Sequence, residues 1–182
     1  MRGVCCVKGI IFNLLEDVIT DALGTTAWDD MIVSSGASGI YASLGTYPDG
    51  EFFALVDAAA DFTGESRDLV LRRFGEAAFP LMVARYPVIL EGIPNARTFL
   101  LSLNRILQTE IRKIYDGTAC PHFRFAIAPN RLRLGYASPR QMCGFAEGLL
   151  HGVARHFGES VVISHPECVH RGDHGCRVEM TW

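Results

Sequence analysis

The chain has 182 residues, of which 49% are hydrophobic and 20% charged. That length makes one domain, residues 1–182, the default and that composition excludes disorder. A net charge of −3 speaks against non-specific nucleic-acid binding, and no apolar run reaches the roughly 18 residues of a membrane span.

The start, MRGVCCVKGIIFNLLED, breaks off in charges and lacks the shape of a signal peptide, so a cytoplasmic protein is expected. Val7-Lys8-Gly9 would also serve naturally as a start. Gly9–Leu23 places Ile11, Leu14, Leu15, Val18 and Ile19 at helical spacing, with Gly24 beyond its end. A second short helix is expected over Ala27–Ser34. The run Gly45–Gly50 reads as a turn, with Asp49 capping a helix over Glu51–Phe62. Ser66–Tyr86 is again helical, kinked or split at Pro80. Pro87 and Pro94 bracket a loop. Asn95 then caps a helix expected to reach about Tyr115.

After Asp116-Gly117 the pattern changes. HFRFAIA (122–128) and RLRLGYAS (131–138) alternate as two strands joined by a Pro129-Asn130 turn. Ser138, Pro139 and Gln141 have the spacing of a capped helix start, and the helix runs to about Phe157. Further strands are expected at Ser160–Ser164 and Cys176–Thr181. The fold class is therefore α+β: a helical part over about 1–94, then a long helix and a ββαββ antiparallel sheet over about 95–182. Charge divides similarly. Residues 1–66 hold ten acids and two bases, a net of −8, while residues 67–182 hold ten acids and fifteen bases, a net of +5, fourteen of the latter being Arg.

Two constellations carry chemistry. Tyr136 and Ser138 share a strand face, and Arg140 follows at the expected helix start. Two hydroxyls, a guanidinium and a helix N-terminus would suit a carboxylate or phosphate. A cap and a surface Arg is the plainer reading. The second set is Cys143, His165, Cys168 and Cys176, three soft sulfurs and an imidazole, which is the donor set of a closed tetrahedral zinc site. Reduced cytosolic thiols favour metal over a disulfide. Buried free cysteines are the alternative, and His170 and His174 are rival ligands. Cys5 and Cys6 read as bystanders. No Ser-His-Asp set, paired carboxylates or phosphate-binding glycine loop argues for an enzyme.

KGIIFNLLEDVITDALGTTAWDDM, GASGIYASLGTYPDGE, FLLSLNRI, RKIY and Tyr136-x-Ser138-x-Arg140 together resemble the haem nitric oxide/oxygen-binding (H-NOX) sensor domains, over essentially the whole chain from Val7. The resemblance implies that Tyr136, Ser138 and Arg140 grip haem propionates. It also implies that Cys143, His165, Cys168 and Cys176 match the zinc site some members carry on the C-terminal sheet. The position of the iron-ligating His is Leu107 here, followed by Gln108, and no His precedes His122. Where oxygen-binding members carry Tyr, this chain has Phe145.

The expected function is a bacterial-type signalling sensor domain, not an enzyme, with redox or nitric-oxide sensing at the zinc site and haem binding lost or altered. A haem sensor with Cys120 or His122 as substitute ligand is one alternative. A zinc-stabilised interaction module is another. Ile11, Leu15, Phe79 and Leu149 are the expected porphyrin walls. The partner implied is a separate sensor kinase or cyclic-dinucleotide enzyme, with neither nucleic acid nor membrane involved.

Overall fold

The computed structural model describes residues 6–106, 122–137 and 140–182. Strand β1 (Cys6–Lys8) pairs antiparallel with β2 (Thr46–Pro48), Val7 opposite Tyr47. Nothing in the sequence signals this pairing, because three-residue strands are too short to show alternation and two helices separate them. Helix α1 (Gly9–Leu23) buries Leu14, Leu15 and Ile19 of the predicted stripe, leaves Ile11 and Val18 half-buried, and adds Phe12, which the spacing did not single out. Helix α2 (Thr25–Ser35) ends at Gly36 and α3 (Asp49–Thr63) at Gly64, both with φ of 69°, a left-handed cap that suits glycine.

Asp49 does not cap α3. It is the helix's first residue, after Pro48, and its carboxylate instead meets Arg140. Helix α4 (Arg67–Arg85) is capped by Ser66, whose Oγ accepts from the Leu69 N–H at 3.3 Å. Pro80 does not split it. The ring lies on the exposed side, and the Glu76 carbonyl that Pro80 cannot bond lies close against Gly152. Helix α5 (Ala96–Ile106) starts as expected, with Asn95 Oδ1 accepting from the Thr98 N–H at 2.8 Å. Its expected continuation to Tyr115 lies outside the described residues.

The C-terminal part is the expected ββαββ unit. Strands β3 (His122–Ala128), β4 (Arg131–Ala137), β5 (Val162–Glu167) and β6 (Cys176–Thr181) form one antiparallel sheet in the order β3-β4-β6-β5. Helix α6 (Cys143–His156) starts later than the capping signals suggest. Gln141 has φ of 53°, which no right-handed helical turn accepts, so the first turn forms only after Met142. Strand β5 is also shifted relative to the expected Ser160–Ser164, because pairing with β6 sets Val162 opposite Thr181.

Two buried clusters hold these elements. One joins α1 to α4 around Phe12, Trp28, Met31, Phe52 and Phe74. The other packs the sheet's inner face (Leu132, Leu134, Val178, Met180) on Phe79, Phe99, Leu150 and Val153. Helices α4 and α6 approach backbone to backbone. A Cβ on Gly148 would lie 2.0 Å from the Arg72 carbonyl oxygen and 2.9 Å from the Glu76 nitrogen. Gly148→Ala will force the helices apart, and a fall in Tm of about 6–12 °C is expected, corresponding to about 3 kcal/mol in a domain of this size. Gly50→Ala, whose added carbon meets nothing within 4 Å, is the control and will stay within about 0.5 kcal/mol in the same melts.

Candidate metal centre

The start of α6, the end of β5 and the start of β6 meet at one end of the sheet. Cys143 is the first residue of α6, Cys176 the first of β6, and Cys168 directly follows β5. The β5–β6 pairing changes register between Ser164 and Glu167. An irregularity of that kind re-aims a side chain, and His165 sits within it. Pro166 is tolerated beside it because β5 is an edge strand. One ligand atom from each of Cys143, His165, Cys168 and Cys176 then falls within 4.8 Å of all the others. The sulfurs of Cys143 and Cys168 are 3.5 Å apart.

All three cysteines are buried. Tyr136, opposite Cys176 on β4, covers them together with Ala146 and Val169. The Val169 N–H points at Cys176 Sγ at 3.5 Å, and the Cys168 N–H donates to Asp173 Oδ2 at 2.7 Å, which folds the loop between β5 and β6 back over the site. Burial foremost, then hydrogen bonding to the neighbouring sulfurs, pushes the Cys143 thiol far above its ordinary range. Cys176 is raised too, again chiefly by burial. Thiolates here therefore need a cation beside them.

His165 shows which of its nitrogens is available. Nδ1 lies 3.0 Å from Glu147 Oε2, while Nε2 is buried with no hydrogen-bond partner among the described residues. A carboxylate accepting from Nδ1–H leaves the lone pair on Nε2, which is how metal-binding imidazoles are commonly oriented. An orphaned, buried imidazole nitrogen beside three buried sulfurs is a donor set that fits zinc. His170 and His174 are both exposed and stand outside this group of four.

Glu147, on α6, escaped the sequence reading. Its side chain is 8% exposed, and its Oε1 lies 3.2 Å from Arg72 Nε of α4, an ion pair without hydrogen-bond geometry. Burial alone would raise its carboxyl. The hydrogen bond to His165 and the Arg72 charge outweigh that and hold it below the ordinary carboxylate range. If Glu147 orients His165, Glu147→Gln will weaken zinc binding by about tenfold and Glu147→Ala by up to about 100-fold in chelator competition. Equal affinities in all three proteins would remove that role.

The other predicted constellation is arranged differently. Tyr136 is buried in the cysteine cluster, and Ser138 lies outside the described residues. Arg140 precedes α6 instead of lying in its first turn. Arg140 Nε is 3.2 Å from both carboxylate oxygens of Asp49, and its guanidinium also donates to the Cys6 carbonyl. The anion that Arg140 meets among the described residues is thus one of the chain's own. Ile11 and Leu15 pack with the helical cluster, while Phe79 and Leu149 pack with the sheet cluster. Phe145 stacks on Phe74 with ring centroids 4.9 Å apart. Helix α5 reads ARTFLLSLNRI and offers iron no His, Cys or Met, and Leu107 follows it. Leu107 and Cys120 lie outside the described residues. These residues do not fit a haem ligated by a histidine of that helix.

No curated protein matches the chain. Among solved structures, the chain is similar to an H-NOX protein from S. oneidensis in the Fe(II)NO ligation state, with 30% identity, coverage of 96% of this chain and 98% of that one, and a TM-score of 0.89. It is also similar to an Fe(II) unliganded H-NOX protein from K. algicida, with 29% identity, coverage of 96% of each chain and a TM-score of 0.84. The profile of the Haem-NO-binding family matches residues 8–165, and the chain belongs to that family of H-NOX sensor domains.

Proposed function

We propose that this H-NOX domain is a redox or nitric-oxide sensor that works through a zinc ion held by Cys143, His165, Cys168 and Cys176, with haem binding lost or altered. The observation that carries the reading is the buried Nε2 of His165, without a partner among the described residues, on a histidine clustered with three buried cysteines. Bound there, zinc supplies the positive charge that keeps the sulfurs as thiolates, the form that reacts with oxidants. The residues 1–182 act as one domain that passes its state to a separate effector, such as a sensor kinase or a cyclic-dinucleotide enzyme. Nitric oxide enters the reading through the S. oneidensis relative, solved in its Fe(II)NO state.

The sulfurs of Cys143 and Cys168, 3.5 Å apart, are a pair close to disulfide geometry. Peroxide accepts two electrons from these thiolates. A sulfur–sulfur bond forms, the oxygen–oxygen bond breaks, and both oxygens take up protons to leave as water. Only His165 and Cys176 then remain as ligands, and the loop between β5 and β6 loses its fastening to α6.

One equivalent of hydrogen peroxide tests this. Peptide mapping will find Cys143 linked to Cys168, in step with metal release read by a chromophoric chelator. Oxidation confined to Cys5, Cys6 and Cys120 with the metal retained would make the site structural only.

A further inference from the structure

Cys143 belongs to a second cluster. Its sulfur and one ligand atom each of Asp68 and His170 also lie within 4.8 Å of one another. Cys143 is fully buried, whereas the Asp68 side chain is 48% exposed and His170 is exposed. The two clusters therefore share a sulfur and differ in their access to water. Three separate elements build the outer one. Asp68 is the second residue of α4, Cys143 is the first of α6, and His170 lies in the 3-10 turn Val169–Arg171.

Each outer residue is fixed in place. An added Cβ on Gly144 would be 2.5 Å from Asp68 Oδ1, so the glycine next to Cys143 is what lets the carboxylate come this close. Asp68 Oδ2 is held by Arg72 at 3.2 Å. His170 Nε2 lies 2.9 Å from the Gln141 carbonyl, the same carbonyl that stands 3.9 Å from Cys143 Sγ. Gln141 adopts a φ of 53°, a conformation that non-glycine residues keep only where their surroundings impose it, frequently at functional sites.

We propose that Asp68, His170 and Cys143 form a second, solvent-facing site for a zinc-class divalent cation, through which the buried four-residue site is loaded. The proposal rests on the reading that the buried site holds zinc. Sulfur, imidazole nitrogen and carboxylate oxygen are all accepted zinc donors, and three protein ligands leave a position for water, as in exchangeable zinc sites. A hydrated cation cannot reach four ligands that are nearly all enclosed without first losing water. The exposed carboxylate and imidazole give it a place to do so. Cys143 then stays bound while Asp68 and His170 are exchanged for Cys168, Cys176 and His165, so the ion moves inward without being released. The outer site is the weaker, having fewer ligands and two of them in water.

The test uses the full chain, stripped of metal, with zinc chloride as the probe. Uptake is timed by stopped flow against a chromophoric chelator, and equilibrium titration counts the sites. The variants are Asp68→Asn, His170→Ala and, as a control exposed on the same loop but outside both clusters, His174→Ala. The wild type and His174→Ala will show one tight and one weak equivalent. Asp68→Asn and His170→Ala will lose the weak one, keep the affinity of the tight one, and load about tenfold more slowly, the scale on which a guiding charge changes association rates. Melting curves will show that both variants remain folded. A tight equivalent with no weak one in the wild type, or loading rates unchanged in both variants, overturns the loading site and leaves the buried site standing. Absence of a tight equivalent in the wild type overturns both.

Discussion

The purified chain will carry one zinc per molecule, and stripping it will lower Tm by about 5–10 °C when the free ion had stood near 100 times its Kd. A ligand that binds only the folded state adds about 2.7 kcal/mol at that ratio, and about 2–4 °C per kcal/mol is usual for a domain of this size. The ligands come from α6, β5, β6 and the loop between the two strands. Removal leaves buried sulfurs without a countercharge and His165 Nε2 without a partner, and frees the loop from α6. The helical cluster around Phe12 and Phe52 has no part in the site, so the chain will loosen locally instead of unfolding as a zinc finger does. Cys143→Ser, Cys168→Ser and Cys176→Ser will each cut the zinc content, because a neutral serine hydroxyl is a poor substitute for a thiolate. Full stoichiometry in all three variants, read by elemental analysis, would sink the assignment.

Why the clustering of Cys143, His165, Cys168 and Cys176 was readable while the place of Glu147 was not comes down to range. His165, Cys168 and Cys176 are spaced locally, and an alternating strand pattern is enough to bring Cys143 to the same sheet end. Glu147 looks like any acid on an amphipathic helix. Its burial depends on α4 lying against α6, which follows from Gly144, Gly148 and Gly152, one every fourth residue of α6. That spacing is the signal that could have found it, since small residues repeating at four mark a helix face that a backbone can approach. His170 was legible only as a rival ligand, and Asp68 had no signal at all, because it is brought to Cys143 from a distant part of the chain.

The misread caps have the same origin. Asp49 is ideally placed before a helix by local rules, and so is Ser138 with Pro139 and Gln141. Asp49 is instead committed to Arg140, 91 residues away, and the turn before α6 takes a positive φ at Gln141. Both departures lie on the path that joins β4 to α6 and sets Cys143 against Cys168. Local preference yields there because the turn must deliver a buried sulfur, and a long-range ion pair with 14% and 16% side-chain exposure outweighs one exposed cap.

Haem content provides the sharpest contrast, because the features taken as a porphyrin site disagree with one another. The wild-type chain will be isolated with little or no haem, and Leu107→His will raise the content several-fold toward one equivalent. Tyr136, Ser138 and Arg140 are of the residue types that meet propionates in the family the chain resembles, although Tyr136 packs in the cysteine cluster and Arg140 on Asp49, and porphyrin burial would contribute some affinity without an iron ligand. The bond that would hold iron in place is missing, since Leu107 has no donor atom and no His precedes His122. Restoring an imidazole at 107 returns that bond, and the absorption spectrum will change to that of histidine-ligated iron. Haem added to the wild type will be held weakly or through Cys120 or His122, and Cys120→Ser and His122→Ala will separate these. Zinc content will not respond to any of the three substitutions, since none of them replaces Cys143, His165, Cys168 or Cys176. A stoichiometric, histidine-type haem in the unmodified chain that survives His122→Ala would place the iron ligand elsewhere, and the haem-sensor alternative would then replace the zinc-based reading.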